Sequence, residues 1–204
     1  MPTRFFGLIF IAIFFSILAS IMMCGHNFSK GPMKPGCRRT LVRGIYRIFV
    51  SFYIFTAGLW TSKVYQECDY TYYLGPDYKK NYRAIEKTST KVCNHTSWLD
   101  APILIKYFCP GFTPKDMFKG MPLFGKLCDI SESIYMPKGG SKESSEEAMK
   151  IISDRQELIE KTGKLTPICI FPEGMTSNGT GILNFRRGAF NGLKRISPTI
   201  LKYR

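Results

Sequence analysis

The apolar run near the start of the chain constrains the fold more than any other feature. Phe5 to Cys24 are twenty consecutive residues without a charged side chain. That length is sufficient for a helix to cross the hydrocarbon core of a bilayer. A cleaved signal peptide, the alternative, has a shorter apolar core and a small-residue cleavage site, whereas this run ends in Met22-Met23-Cys24. We therefore predict an uncleaved transmembrane anchor over residues 1–25.

A basic segment follows the apolar run. It has no acidic residue up to position 47 and carries six basic ones: Lys30, Lys34, Arg38, Arg39, Arg43 and Arg47. Such an excess favours the cytosolic side for the chain that follows the helix, and it attracts anionic headgroups. A solvated linker is the alternative, because Gly31-Pro32 and Pro35-Gly36 are typical of linkers.

A second apolar stretch, Ile48 to Trp60, is too short to span a bilayer comfortably. It is rich in aromatic residues, and basic residues lie directly upstream. These features predict a helix that lies in the membrane interface, while a buried core helix is the alternative. Residues 26–89 are therefore interpreted as a basic linker with an interfacial helix.

From Thr90 onward, short apolar segments alternate with helical ones, which is typical of an α/β domain. Ser141 to Glu160 has the apolar periodicity of an amphipathic helix with one solvated face. The fold class predicted is α/β, a mixed sheet flanked by helices, preceded by the transmembrane and interfacial helices. The expected strands are Thr90–Cys93, Thr113–Phe118, Ser133–Pro137 and Pro167–Phe171.

Charge and cysteine content narrow the functional classes. The formal net charge of +14 indicates an acidic partner: nucleic acid, an anionic membrane or a polyanionic substrate. No nucleic-acid-binding motif is present, which favours the other two. The seven cysteines are scattered and include no C-x-x-C pair, so the sequence indicates neither a disulfide framework nor a zinc site. This pattern fits a reducing compartment.

The segment Asn94-His95-Thr96-Ser97-Trp98-Leu99-Asp100 places a histidine five residues before an aspartate. Five residues of a straight helix turn through about 500°, which would leave the two side chains about 140° apart. They meet only if His95 precedes the helix and Asp100 lies in its first turn. The polar turn-forming residues between them, and Pro102, which a first helical turn tolerates, support that arrangement.

The chemistry of this pair depends on that geometry. An ionised Asp100 would hold one imidazole nitrogen of His95 and leave the other free as a base. This is the orienting logic of a Ser-His-Asp triad, with the serine replaced by a hydroxyl of the substrate. Taken alone, the spacing is weak evidence, since Asp100 as a helix cap and His95 as a polar loop residue are the alternative.

Together with Phe171-Pro172-Glu173-Gly174, this motif resembles the glycerophospholipid acyltransferases, membrane enzymes that acylate glycerol phosphates and lysophospholipids from acyl-CoA. The resemblance implies an O-acyltransferase of phospholipid biosynthesis or remodelling. It implies the endoplasmic reticulum membrane, with the catalytic domain in the cytosol. It assigns His95 as general base and Asp100 as the residue that orients it. The implied partners are acyl-CoA as co-substrate, a lysophospholipid or lysophosphatidate acceptor and the membrane, with no cofactor, metal or nucleic acid.

The same resemblance implies substrate-binding roles for eight residues: Asn94, Lys119, Lys138, Glu173, Gly174, Thr176, Arg186 and Arg187. Donors near Asn94 or the helix N-terminus would steady the oxyanion, and Glu173 would accept from a hydroxyl or orient a basic residue. Lys119 opens the segment 119–126, which also resembles the family. Two positions depart from the family pattern. Lys138 stands where the family has an arginine and so lacks a bidentate fork for phosphate, and Met175 stands where a threonine is usual.

The last similar block is Ile196–Leu201, which resembles a proline-containing strand that lines the acyl site in the family. The resemblance covers residues 90–204, interpreted as the acyltransferase domain, and family members usually continue beyond this block. We therefore expect a truncated domain. A catalytically inactive, lipid-binding member or membrane adaptor is the alternative function, and a basic membrane scaffold whose motifs are coincidental is another.

Overall fold

The computed structural model describes residues 2–26, 31–64, 69–77, 88–121, 124–139 and 141–203. These residues form helices around a small sheet, in agreement with the predicted α/β class. The elements are α1 (Pro2–Met22), α2 (Cys37–Thr56), α3 (Thr71–Leu74), β1 (Thr90–Cys93), α4 (Asp100–Tyr107), α5 (Phe124–Ile130), α6 (Lys142–Thr162), β2 (Ile168–Ile170) and β3 (Ile196–Thr199).

Within the described residues the sheet has three strands in the order β2-β1-β3, and both pairings are parallel. Thr90 pairs with Ile168 on one side and with Ile196 on the other. The predicted mixed sheet is therefore wrong in this respect. The reason lies in the connections, because each strand is joined to the next by a long crossover rather than by a hairpin, and long crossovers join parallel strands.

Two of the predicted strands, Thr113–Phe118 and Ser133–Pro137, do not form. These segments lie side by side and share a single isolated bridge between Lys115 and Met136. The backbone N–H of Met136 donates to the carbonyl of Pro114 at 2.8 Å. Residues 116–118 then turn into a 3₁₀-helix. Proline at 114 and at 137 explains the short pairing, since proline has no N–H to donate to a ladder.

Helices α1 and α2 pack against each other. Phe15 of α1 is buried against α2, where its ring stacks on Phe49 with centroids 3.9 Å apart. The buried face of α2 consists of residues four apart: Val42, Tyr46, Val50 and Ile54. This spacing keeps one face of a helix in the core. The helix begins at Cys37, well before the predicted Ile48, because the four arginines of the predicted linker, Arg38, Arg39, Arg43 and Arg47, are also helical.

The predicted transmembrane anchor is not confirmed. Among the described residues, no helix is both long and apolar enough to cross a membrane. The helix found at that place, α1, instead uses Phe15 and Ala19 for packing within the protein. Other apolar side chains of the same helix, among them Phe10, Phe14 and Ile17, are exposed.

A buried carboxylate fastens α2 to the rest of the domain. The Glu132 side chain is 3% exposed and accepts from Arg39 at 2.5 Å. Arg43 and Arg155 lie at 3.5 Å from its two oxygens, and the Thr166 hydroxyl donates to it at 2.8 Å. Breaking a buried charge pair is costly, so these contacts tie α2, α6 and the segment before β2 together.

Further contacts fix the angle between α2 and α4. Arg43 donates to the carbonyl of Cys109 at 2.5 Å, and Arg47 donates to the carbonyl of Lys106 at 3.0 Å. These carbonyls lie at the end of α4, where the helix leaves acceptors unpaired. At the other end of α4, Trp98 meets the Tyr53 ring edge-on at 6.1 Å. Helix α2 therefore contacts the helix that begins at Asp100 at both ends.

The amphipathic helix predicted from Ser141 is α6. Ser141 is its N-cap, and its hydroxyl accepts from the backbone of Ser144 in a reciprocal capping box. Gly163 ends the helix in the left-handed conformation, with φ 59°. Ile152 and Ile159 pack on one face of the sheet. Helix α6 thus covers one face of the sheet.

Candidate active site

The His95 turn lies between the end of β1 at Cys93 and the start of α4 at Asp100. This is the carboxyl edge of a parallel sheet, the usual place for ligands in α/β folds. The break between strand and helix brings the two side chains together, as the spacing predicted. His95 Nδ1 and Asp100 Oδ2 are 2.8 Å apart.

Asp100 is fully buried, and donors surround its carboxylate. Oδ2 accepts from the backbone N–H groups of Thr96 and Ser97, at 2.7 and 2.9 Å, as well as facing the histidine. Oδ1 accepts from the hydroxyl of Tyr203. Four contacts therefore fix the orientation of the carboxylate. A buried carboxylate with this many donors is suited to hold an imidazole in one tautomer.

The His95 ring is held on its face as well as at its edge. The Phe171 ring stacks on it with centroids 4.2 Å apart. The side chain is 23% exposed, and Nε2 has no hydrogen-bond partner within the described residues. With Nδ1–H donated to Asp100, the lone pair of Nε2 is available as a base.

The hydrogen-bond partners of Glu173 differ from the predicted ones. Its side chain is buried, and Oε1 accepts from the backbone N–H of His95 at 3.0 Å. Oε2 accepts from the backbone N–H of Leu183 at 3.1 Å. Both oxygens are thus engaged with the protein rather than turned towards a ligand. The backbone N–H of Ser177 donates to the His95 carbonyl at 2.8 Å, so the segment after β2 holds His95 at both backbone groups.

Asn94 is also engaged with the protein. Its side-chain amide donates to the carbonyl of Leu201 at 2.9 Å and accepts from the N–H of Leu201 at 2.8 Å. The oxygen and one of the two N–H groups of the Asn94 amide are therefore engaged within the protein. This pair of hydrogen bonds joins the His95 turn to the segment that follows β3.

Gly174 allows Arg186 to lie close to the site. Its φ is +71°, and a Cβ at this position would lie 2.5 Å from Nε of Arg186. Only glycine is free of strain in that conformation and leaves that space. The backbone N–H of Arg186 donates to the carbonyl of Pro172 at 2.8 Å. The Arg186 side chain is exposed, so its guanidinium lies against the F-P-E-G turn at the surface.

The remaining predicted binding residues are not joined to the His95–Asp100 pair. Lys119, Lys138, Thr176 and Arg187 are all exposed. In the part of the chain that the structure describes, none of them is hydrogen-bonded or ion-paired to the His95 turn. Pro122 and Leu123 of the 119–126 segment lie outside the described residues. The structure therefore brings together His95, Asp100, Asn94, Glu173, Gly174 and Arg186, and leaves the other four at the surface.

Two thiols lie near Asp100. Burial, followed by the charge of Asp100, raises the pKa of Cys93 to about 12. Burial also raises the pKa of Cys169. Both are therefore neutral thiols at physiological pH, and a neutral thiol is a poor nucleophile. The described residues contain no cluster of three or more histidine, cysteine, aspartate or glutamate side chains able to hold a metal ion.

Three functional contacts escaped prediction. Phe171 belongs to a recognised motif, but its stacking on His95 has no sequence signal. The backbone contact of Ser177 depends on the path of a loop. Tyr203 lies 103 residues from Asp100, and no spacing rule links the two.

Known proteins of one family resemble this chain. The family model described as Acyltransferase matches residues 78–201. The lysophospholipid acyltransferase LPEAT1 of Arabidopsis thaliana is 28% identical over 118 residues, which are 58% of this chain and 30% of that protein. The lyso-ornithine lipid O-acyltransferase of Pseudomonas aeruginosa is 27% identical over 117 residues, 55% of this chain and 42% of that protein. The matched region thus spans less than half the length of either relative.

A solved structure shares the fold. The 1-acyl-sn-glycerophosphate (LPA) acyltransferase PlsC from Thermotoga maritima superposes with a TM-score of 0.51. The match covers 95% of this chain and 73% of that one, at 14% sequence identity. At this identity the likeness concerns the fold alone.

Proposed function

The chain belongs to the acyltransferase family, and from that premise we propose that it transfers a fatty acyl group from acyl-CoA to the hydroxyl of a lysophospholipid or lysophosphatidate. One observation carries the proposal. His95 holds Nδ1 against the buried Asp100 carboxylate and leaves Nε2 without a partner in the described part of the chain. In that arrangement Nε2 can act as a general base that accepts the proton of a substrate hydroxyl.

The reaction follows from this base. Nε2 of His95 takes the proton of the acceptor hydroxyl as its oxygen attacks the thioester carbonyl. The tetrahedral intermediate then collapses, the carbon–sulfur bond breaks, and CoA leaves as a thiolate that regains the proton. Asp100 stabilises the imidazolium formed in between. No acyl-enzyme is required, because the acceptor oxygen attacks directly and both nearby thiols are neutral.

Recognition of the acceptor phosphate is proposed for the basic residues at the surface of the site. Arg186 lies against Gly174 and supplies a planar fork for phosphate. Lys138 and Arg187 are exposed and free of any ion pair among the described residues. If Lys138 holds the acceptor phosphate, Lys138→Arg lowers the acceptor KM because it restores a bidentate donor, and leaves the acyl-CoA KM unchanged.

Membrane association is proposed from the apolar surface of α1 and α2. Phe10, Phe14, Ile48 and Phe52 are each more than half exposed. Trp98, from the catalytic turn, is 63% exposed and contacts the Tyr53 ring of α2. The His95 turn therefore contacts one of the two helices that carry this surface. Seating it in the interface of a bilayer, with the cytosol on the catalytic side, would deliver a lipid acceptor to His95 without crossing water.

The decisive experiment measures acyl transfer by the purified full chain in mixed micelles. Labelled oleoyl-CoA is offered with lysophosphatidate, a panel of lysophospholipids and glycerol 3-phosphate, and released thiol is measured in parallel. We expect one labelled diacyl lipid for each CoA released. His95→Ala should lower kcat by about 10²- to 10⁴-fold. The control is His26→Ala, which removes the only other histidine of the chain.

Two outcomes would contradict the proposal. One is full turnover in His95→Ala, which would exclude His95 as the base. The other is tight binding of lysophospholipid vesicles by the wild-type chain without transfer to any acceptor. That second result would favour the inactive, lipid-binding alternative.

A further inference from the structure

We propose that Tyr203 is a positioning residue for the general base, acting through Asp100; this inference rests on the proposed acyl transfer. The Tyr203 hydroxyl donates to Oδ1 of Asp100. The other oxygen, Oδ2, takes His95 and two backbone N–H groups. Tyr203 thus supplies the single donor for the oxygen that the catalytic turn itself leaves unpaired among the described residues.

The hydrogen bond from Tyr203 fixes the orientation of the Asp100 carboxylate. Asp100 is fully buried, so an oxygen without a donor there would carry a large desolvation cost. With Tyr203 on Oδ1, the carboxylate has one satisfied orientation, and that orientation presents Oδ2 to Nδ1 of His95. Without Tyr203, rotation of the carboxylate would no longer be opposed by a specific contact.

The position of Tyr203 is itself fixed by the catalytic turn. Strand β3 pairs in parallel with β1, and Thr199 lies beside Cys93. Two residues further on, Leu201 makes both of its backbone hydrogen bonds to the Asn94 side chain. The segment after β3 therefore binds the first residue of the motif through Leu201 and the last through Tyr203. This double attachment distinguishes a positioning role from a chance surface contact.

The charge around Asp100 supports this role. The titratable groups that face it are His95, Glu173, the Cys93 and Cys169 thiols, and Tyr203. Burial, with the hydrogen bond to Asp100 and its charge, raises the pKa of Tyr203, so the hydroxyl stays protonated and remains a donor. A donor on Oδ1 disperses the negative charge of the carboxylate. It therefore weakens the hold of Asp100 on the proton of the imidazolium and favours the basic form that the reaction needs.

The first test is kinetic and uses Tyr203→Phe in the full chain. We expect kcat to fall about tenfold because the base loses its orientation. Both KM values should stay within about twofold, and the acid limb of the pH–kcat profile should move to higher pH. The matched control is Tyr135→Phe, which removes another tyrosine hydroxyl that donates to an aspartate, Asp129, at 3.2 Å. The control should leave kcat and the pH profile unchanged.

The second test needs no substrate, so it separates this inference from the proposed function. The chain has two histidines, and NMR of the labelled rings follows each through a pH titration, with His26→Ala identifying His95. In Tyr203→Phe the pH at which the His95 ring is half protonated should rise, since the undispersed charge of Asp100 stabilises the imidazolium. Phenylalanine keeps the ring but leaves Oδ1 without its donor, so the unfolding temperature should fall by about 2–12 °C while the variant remains folded.

Each outcome is decisive. A wild-type chain without acyl transfer whose His95 titration still shifts in Tyr203→Phe contradicts the proposed function and supports the role of Tyr203. An unshifted titration overturns that role, whatever the activity. A raised acceptor KM with normal kcat and an unmoved pH profile also overturns it, because Tyr203 would then bind substrate.

Discussion

Glu173 offers the sharpest test of the structural interpretation of this site. Its two carboxylate oxygens accept from the backbone N–H groups of His95 and Leu183, at 3.0 and 3.1 Å, and the residue is 4% exposed. In Glu173→Gln, one of these oxygens becomes an NH₂ group. Whichever way the amide turns, a donor faces a backbone donor. The substitution therefore removes one hydrogen bond and creates a repulsive contact in a buried place.

The magnitude follows from burial. An unsatisfied buried donor costs about 1–3 kcal/mol, and hydrogen bonds to a charged acceptor are roughly twice as strong as neutral ones. We expect Glu173→Gln to lower the free energy of unfolding by about 3 kcal/mol. For a chain of this size, that corresponds to a fall of about 6–12 °C in Tm. Displacement of the His95 backbone should also lower kcat about tenfold, because catalysis is sensitive to small shifts of the base.

The assay combines chemical unfolding with acyl-transfer kinetics. Glu147→Gln, on the exposed face of α6, is the matched control and should change stability by less than about 0.5 kcal/mol. A Glu173→Gln variant of normal stability whose acceptor KM alone rises would refute this reasoning. Glu173 would then contact the acceptor, as the sequence motif suggested, and the hydrogen bond to His95 would be energetically unimportant.

Three further predictions concern the surroundings of the site. Gly174→Ala should lower the free energy of unfolding by about 1–2 kcal/mol because of the positive φ, and it should raise the acceptor KM because the new Cβ displaces Arg186. Normal stability in an unfolding assay together with a normal acceptor KM would contradict this prediction. Glu132→Gln should lower the free energy of urea unfolding by about 3–5 kcal/mol because it leaves buried arginine charges uncompensated, and a loss below 1 kcal/mol would disprove the role of this cluster. If the catalytic side faces the cytosol, the exposed sequon at Asn178 should carry no glycan, and protease added to sealed microsomes should digest the domain; a deglycosylation-sensitive mass shift that Asn178→Gln removes would be contrary evidence.

Features that depend on neighbouring residues were predictable from the sequence. The break between strand and helix at His95 follows from turn-forming residues and from the helical geometry of a five-residue spacing. Strand β1 and helix α6 also lie close to their predicted positions. The strand expected at 113–118 does not form, because Pro114 and Pro137 limit its pairing with residues 133–137 to one bridge. The apolar pattern indicated a strand but not which segment would lie beside it. The start of α2 at Cys37 was not predicted, because a run of basic residues is typical of a solvated linker. In the structure these arginines bind the Glu132 carboxylate and the carbonyls at the end of α4.

The local sequence is sufficient to predict the histidine, the aspartate and the turn that lets them meet. The contacts that hold this pair in place join residues far apart in the chain and depend on the fold. The motifs predicted ligand binding for Glu173 and Asn94. Glu173 instead accepts from the backbone of His95, 78 residues away, and Asn94 exchanges two hydrogen bonds with the backbone of Leu201, 107 residues away. Tyr203 reaches Asp100 because β3 pairs in parallel with β1, and no local pattern encodes that contact. A carboxylate or an amide has a known number of hydrogen-bond donors and acceptors, which can be read from the sequence. Which groups satisfy them depends on the segments that the fold brings beside them.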